Sequence, residues 1–171
     1  MAKKKTVIII NGRGGSGKDT ICDVVGRHYK TFNISTIDEV KAAALCIGWN
    51  GGKEPKDRAF LSELKALSIK YYNHPFNQAV RMYNFFINSD FDILFIHVRE
   101  PSEIEKLRRY IKFDGMASVY TLLVLSERAT GIYGNHSDDE VEDYTYDYTF
   151  VNDCPLEQLD ETFMTFFEGW K

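Results

Sequence analysis

Near the start of the chain, Gly12-Arg13-Gly14-Gly15-Ser16-Gly17-Lys18 satisfies the spacing G-x-x-x-x-G-K. Glycines at such positions let the backbone curl until several N–H groups point at one anion. A helix beginning at Lys18 adds about half a positive charge at the same place. Lys18 itself adds a full charge that can follow the β- and γ-phosphates of a nucleotide. The chemistry this pattern suits is therefore phosphate binding, with Gly12, Arg13, Gly14, Gly15, Ser16, Gly17, Lys18, Asp19 and Thr20 as the nucleotide-binding set. Arg13 either approaches phosphate or points to solvent. The alternative to a phosphate loop is a glycine-rich structural turn.

The flanking elements fit the phosphate reading. Val7 to Ile10 is an unbroken β-branched run, which reads as a strand buried on both faces. A helix is expected from about Lys18 to Lys30, with Ile21, Val24, Val25 and His28 on one face. A short strand is expected near Phe32 to Ser35. Thr36-Ile37-Asp38-Glu39 has capping-box spacing and opens a helix with Val40, Ala43, Ala44 and Ile47 inward. A second helix from near Asp57 is expected to bury Phe60, Leu64, Leu67 and Tyr71. A third begins at Pro75, with Phe76, Val80, Tyr83 and Ile87 inward. Ile93 to Val98 reads as a strand, Pro101 opens a helix carrying Ile104, Leu107 and Ile111, and Val119 to Leu125 is another strand. Ser126 to Tyr146 reads as a lid-like loop. Asp147 to Val151 is a last strand and Pro155 to Phe167 a last helix, with Leu156, Leu159, Phe163 and Phe167 on one side. Alternating strands and helices predict an α/β fold: a parallel sheet of about five strands, covered on both faces. Residues 38–90 hold more helix than one crossover needs, and the excess reads as an insert over the substrate. Ligands of such sheets bind beyond the carboxyl ends of the strands, which gathers residues 11–18, 97–100 and the loop after Leu125 around one crevice.

Composition narrows the classes. The 171 residues are 44% hydrophobic and 27% charged, which excludes a disordered or collagen-like chain and fits one domain. A net charge of −4 gives no overall basic field for a nucleic acid polymer. Cys22, Cys46 and Cys154 are scattered, so neither a disulfide framework nor a zinc site is expected. No apolar run reaches membrane-spanning length. The setting expected is the cytoplasm, as monomer or homodimer.

Ser16-Gly17-Lys18-Asp19-Thr20 resembles the nucleoside monophosphate kinase branch of P-loop proteins. It is closest to the deoxynucleoside monophosphate kinases of phages and bacteria and is also similar to the phosphomevalonate kinases of animals. Phe91 to Glu103 resembles the family segment in which a buried strand ends in Asp-Val-Arg; Arg99 is kept, and His97 stands in place of the acid. His136-Ser137-Asp138 resembles the family's lid, and Asn152-Asp153 with Leu156-Glu157-Gln158-Leu159 its closing strand–turn–helix. The resemblance implies a three-layer α/β/α P-loop NTPase fold. It also implies ATP as donor, Mg²⁺ as cofactor and a small phosphorylated acceptor, a (deoxy)nucleoside monophosphate before others. The alternatives are a regulatory nucleotide-binding module without transfer activity, and a kinase of a non-nucleotide small molecule.

Residue 19 is Asp where the common pattern has the hydroxyl that binds Mg²⁺. Either Asp19 and Thr20 form the metal site, Thr20 also reaching a phosphate oxygen, or Asp19 caps the helix. The acceptor calls for cations, and arginine suits it because its planar fork pairs two phosphate oxygens. Arg99, at a strand end, is the first candidate, against a structural pairing with Glu103. Arg58 sits in a first helical turn, where a cation opposes the dipole, and is either a substrate ligand or a surface residue. Asp38 and Lys41 are candidates for substrate contact, or a solvated helix face. Arg128 begins the lid-like loop, where an arginine would stabilise the transferring group. Lys18, Arg99 and Arg128 form the expected catalytic set. His97 either orients a phosphate or water, or is a satisfied core histidine; His28 and His74 read as structural.

Overall fold

Residues 5–129 and 141–170 are described by a computed structural model. The β-branched run forms β1 (Lys5–Asn11), and Val7, Ile8, Ile9 and Ile10 have no exposed surface. Such burial on both faces requires a central strand. β1 indeed lies in the middle of a five-stranded, wholly parallel sheet with β2 (Thr31–Ser35), β3 (Ile93–His97), β4 (Ala117–Leu125) and β5 (Tyr148–Val151). The strand order is β2-β3-β1-β4-β5. Ile10 pairs with His97 on one side and Leu122 on the other, and Ser35 also pairs with His97. The carboxyl ends of four strands therefore share one edge of the sheet.

Alternation along the strands sends side chains to two cores. Val7, Ile9, Leu94 and Ile96 meet Ala79, Tyr83 and Phe86 of α4 (His74–Ile87) and Ile104, Leu107 and Ile111 of α5 (Pro101–Asp114). Ile8, Ile10, Phe95, Leu122 and Val124 meet Ile21, Val24 and Val25 of α1 (Lys18–Gly26) and Leu159, Phe163 and Met164 of α6 (Leu156–Glu168). This is the expected three-layer α/β/α sandwich. Each such aliphatic side chain contributes about 1.5–3 kcal/mol on burial.

Two further helices, α2 (Asp38–Cys46) and α3 (Pro55–Tyr72), pack against each other and α4. Packed chiefly on α2 and α4, α3 buries only Leu61. Leu67 and Tyr71, expected inside, are 63% and 89% exposed. Ile47 is exposed because α2 ends at Cys46, and Leu156 because it stands at the first turn of α6.

Local signals shifted in three places. α1 stops at Gly26, so His28 falls beyond its last turn; it is exposed and pairs through Nε2 with Asp160 at 2.9 Å. The capping box at Thr36 does not form; Thr36 Oγ1 donates to the His97 carbonyl, and Asp38 Oδ2 accepts from the Ser35 N–H at 2.7 Å. A capping box forms instead at Glu54 and Asp57, starting α3 two residues early. The lid resemblance at His136-Ser137-Asp138 lies outside the described residues.

Candidate functional site

The segment from Gly12 to Gly17 leaves the central strand and enters α1 as a tight curl. Gly12 has φ +150°, and a Cβ there would stand 2.4 Å from the Val124 carbonyl oxygen. Gly17 has φ +90°, and a Cβ would stand 2.2 Å from Asn152 Nδ2. Only glycine fits either position. The Ser16 N–H donates to the Arg13 carbonyl at 3.2 Å, closing a turn through Gly14 and Gly15. Lys18 Nζ donates to the carbonyls of Gly12 and Arg13 at 2.5 and 2.8 Å, inside the curl. A lysine held there by two neutral carbonyls can be drawn to an anion, because hydrogen bonds to charged oxygens are about twice as strong. Ser16 Oγ is buried with no hydrogen-bond partner.

Neighbouring elements brace the curl. Asn152, at the exit of β5, donates Nδ2 to the Ser16 carbonyl at 2.9 Å. Asn11 accepts from the Gly12 N–H through Oδ1 and donates Nδ2 to the Arg99 carbonyl and the Tyr146 hydroxyl. Tyr146 donates in turn to the Val141 carbonyl, and burial pushes its hydroxyl up to about 12. Arg13 pairs with Glu142 at 3.2 Å. The loop is thus tied to β3, β5 and residues 141–146. Sequence reasoning gave no function to Asn11, Asn152 or Tyr146. A buried asparagine ending a β-branched run was the available signal for Asn11.

On the β4–β5 side, Gly15, Gly17 and Thr20 meet Ser126, Arg128 and Asn152 around a cavity of about 200 Å³. Arg128 is anchored there, donating Nη2 to the carbonyls of Asp153 and Cys154 at 3.3 and 2.9 Å. A second cavity, about 260 Å³, runs from Arg13 and Ser16 to Ser126 and Asp153.

On the β3 side stands His97. Its Nδ1 is 3.9 Å from Asp19 Oδ1, and its Nε2 is 3.7 Å from Cys22 Sγ. Burial lowers the imidazole's pKa most, while Asp19 raises it; Lys18, Asp38 and Lys41 also act on it electrostatically. Burial pushes the Cys22 thiol well above its usual range. Asp38 is held at the end of β2 by the Ser35 N–H, and Asp19 is on the His97 flank of the loop. Thr20 goes to the other, so the expected metal pair Asp19 and Thr20 is split by the turn of α1. Arg99 lies just past β3, exposed, its carbonyl held by Asn11. Arg58 turns back to the Lys53 carbonyl, donating Nε at 3.2 Å, which gives this first-turn cation a local acceptor.

Solved structures with this architecture span the whole chain. A putative kinase from Chloroflexus aurantiacus superposes with a TM-score of 0.56 at 9% identity, covering 100% of both chains. The APS kinase of Mycobacterium tuberculosis in complex with AMPPNP and APS gives 0.53 at 13% identity, covering 97% of this chain and 99% of its own. Shikimate kinase from Aquifex aeolicus gives 0.51 at 13% identity, covering 95% and 96%. The fold is that of the P-loop kinases. Identities this low establish the fold alone. No family model and no curated protein sequence matches the chain. Within the P-loop kinase fold, the curl at residues 12–18 occupies the strand–loop–helix junction that the motif requires. Among the described residues, no helix is long and apolar enough to cross a membrane, and no group of three or more His, Cys, Asp or Glu is placed to hold a metal.

Proposed function

We propose that this protein is a phosphotransferase that moves the γ-phosphoryl group of ATP to a small phosphorylated acceptor, a (deoxy)nucleoside monophosphate before others. The observation that carries this reading is the closed glycine curl with Lys18 inside it, at the end of the central strand. The curl lies between two differently furnished flanks. The cavity with Arg128, Thr20 and Asn152 suits the donor's nucleoside end. The flank with Asp38, Lys41 and Arg99 suits the acceptor, with α2 and α3 beside it.

An acceptor phosphate oxygen attacks the γ-phosphorus as the bond to the bridging oxygen of the β-phosphate breaks. ADP leaves with that electron pair. The loop amides and Lys18 hold the charge that shifts toward the leaving oxygen. Arg99 and Lys41 hold the second anion in line. A phosphate acceptor needs no general base. Asp38 and Arg58 would contact the acceptor, and Arg128 would stabilise the transferring group.

Mg²⁺ fits the donor set: this ion takes one or two carboxylates and completes its shell with phosphates and water. Asp19 offers a carboxylate that is 95% exposed, one residue past Lys18. Asp19 would hold the ion, with Thr20 on a phosphate oxygen, and the ion when bound neutralises phosphate charge.

The test is incubation with ATP, Mg²⁺ and a panel of nucleoside monophosphates, following ADP and the diphosphate product by phosphorus NMR. The expected result is stoichiometric formation of both. ATP binding without turnover on any acceptor would instead support the regulatory module, a reading that His97, standing in place of a strand-end carboxylate, favours.

A further inference from the structure

From α3 a further cation, Lys65, crosses to the carboxyl edge of the sheet, and the reaction outlined above gives it no part. We propose that Lys65 is an acceptor-binding residue: Glu100 holds its ammonium group at the strand end that carries Arg99, and the remaining N–H groups take the phosphate of the nucleoside monophosphate. The inference rests on the phosphotransferase reading.

The stripe of α3 that loses exposure runs through Arg58, Leu61, Lys65 and Ser68, at helical spacing. Leu61 is buried, and the Lys65 side chain is only 13% exposed. A lysine can lay its stem along apolar surface and keep its head in water. Here the head leaves water, and Nζ donates to Glu100 Oε1 at 2.5 Å. Glu100 follows Arg99 and stands at the start of α5, three residues past the end of β3. Because β3 runs parallel to β1 and β2, that position shares the carboxyl edge of the sheet with the phosphate curl. The Glu100 carboxylate is not spent on capping, since α5 has no side-chain cap hydrogen bond. Stability alone gives little reason for such a pair, because taking two charges out of water offsets most of their attraction. Chemistry gives one. An ammonium group has three donors, and Glu100 accounts for one of them. Arg58, the cation expected from this helix, lies about two turns earlier on the same stripe and is turned back to the Lys53 carbonyl. Lys65 instead reaches the strand end where Arg99 stands. A cation from each side of the crevice suits a phosphate, whose charged oxygens strengthen every N–H that meets them. Glu100 keeps the lysine in place before the acceptor arrives.

Steady-state kinetics with the deoxynucleoside monophosphates at saturating ATP, together with thermal melting, decide the matter. Lys65→Met keeps the stem and removes the charge. It should raise the acceptor KM roughly tenfold, the cost of one charged contact, and leave the calorimetric affinity for ATP as it was. It should also lower the melting temperature, because the Glu100 carboxylate loses its counter-charge. Combining Lys65→Met with Glu100→Gln removes both charges. That double variant should regain the melting temperature while the acceptor KM stays high. Lys65→Arg, which keeps a cation, should recover part of the KM. An ion pair that merely ties α3 to the core would regain the KM along with the melting temperature in the double variant, and that result overturns the inference. A parallel loss of ATP affinity in Lys65→Met makes the residue structural and overturns it as well. Wild-type protein that forms no diphosphate from any of these acceptors overturns the phosphotransferase reading and this inference with it; turnover with an acceptor KM indifferent to Lys65 overturns this inference alone.

Discussion

The sheet and the α2–α3 layer are built to different standards. Four consecutive residues of β1 have no exposed surface, whereas α3, 18 residues long, buries one. The phosphate curl is fixed to the first region, through β1, β3 and β5. Asp38, Lys41 and Arg58 belong to the second. Sparse burial marks the low-stability end of a structure, the part that opens first. On the proposed reading, the donor site rests on the deeply buried sheet and the acceptor site on the sparsely buried layer.

The contrast is tested most severely by truncating the two regions in parallel. Ile9→Ala should cost about 2–5 kcal/mol of unfolding free energy in urea, while Leu67→Ala on α3 should stay within about 0.5 kcal/mol. Similar losses would erase the distinction. Lys18→Ala should weaken ATP binding roughly 100-fold, the loss expected for charge-assisted hydrogen bonds, with little change in melting temperature. An unchanged calorimetric affinity would remove the cradle from the site. Gly17→Ala should destabilise by about 1–3 kcal/mol, from its φ of +90° and the clash with Asn152, and should weaken ATP binding in the same preparation. Thermal melting with and without ATP reads both effects.

Gentler changes sharpen the division between donor and acceptor. Lys41→Ala should raise the acceptor KM about tenfold, the cost of one charged contact, and leave ATP affinity as it was. A parallel loss of ATP affinity would place Lys41 on the donor side. The smallest effect is a pH dependence. Burial holds the His97 pKa below its ordinary 6.5 in the folded protein. The unfolded chain then binds the proton more readily, so the associated stability is complete above about pH 6.5 and is lost as pH falls through the folded value. Urea titrations of the nucleotide-free protein should show this decline, and His97→Gln should flatten it.

What was legible in the sequence follows the same division. β1, β3 and β4 could be read because strands buried on both faces need unbroken apolar runs, and the curl because its glycines have no substitute. The inward face of α3 could not be read from its period. Leu64, Leu67 and Tyr71 repeat as a core helix would, but the helix packs chiefly on α2 and α4, and Leu67 and Tyr71 stay in solvent. His28 was misplaced because a period says nothing about where a helix stops, and α1 stops at Gly26. The partners of His97 were hidden for another reason. Cys22 lies 75 residues away in sequence, and only the register of β3 beside β1 brings them together.

One brace has a bearing on how the protein is made. The amide of Asn152 reaches the Ser16 carbonyl across 136 residues of chain. During synthesis the glycine curl is made 136 residues before its support. A nascent chain ending before β5 therefore carries a glycine curl without its Asn152 brace, and the curl is finished only once β5 has been made.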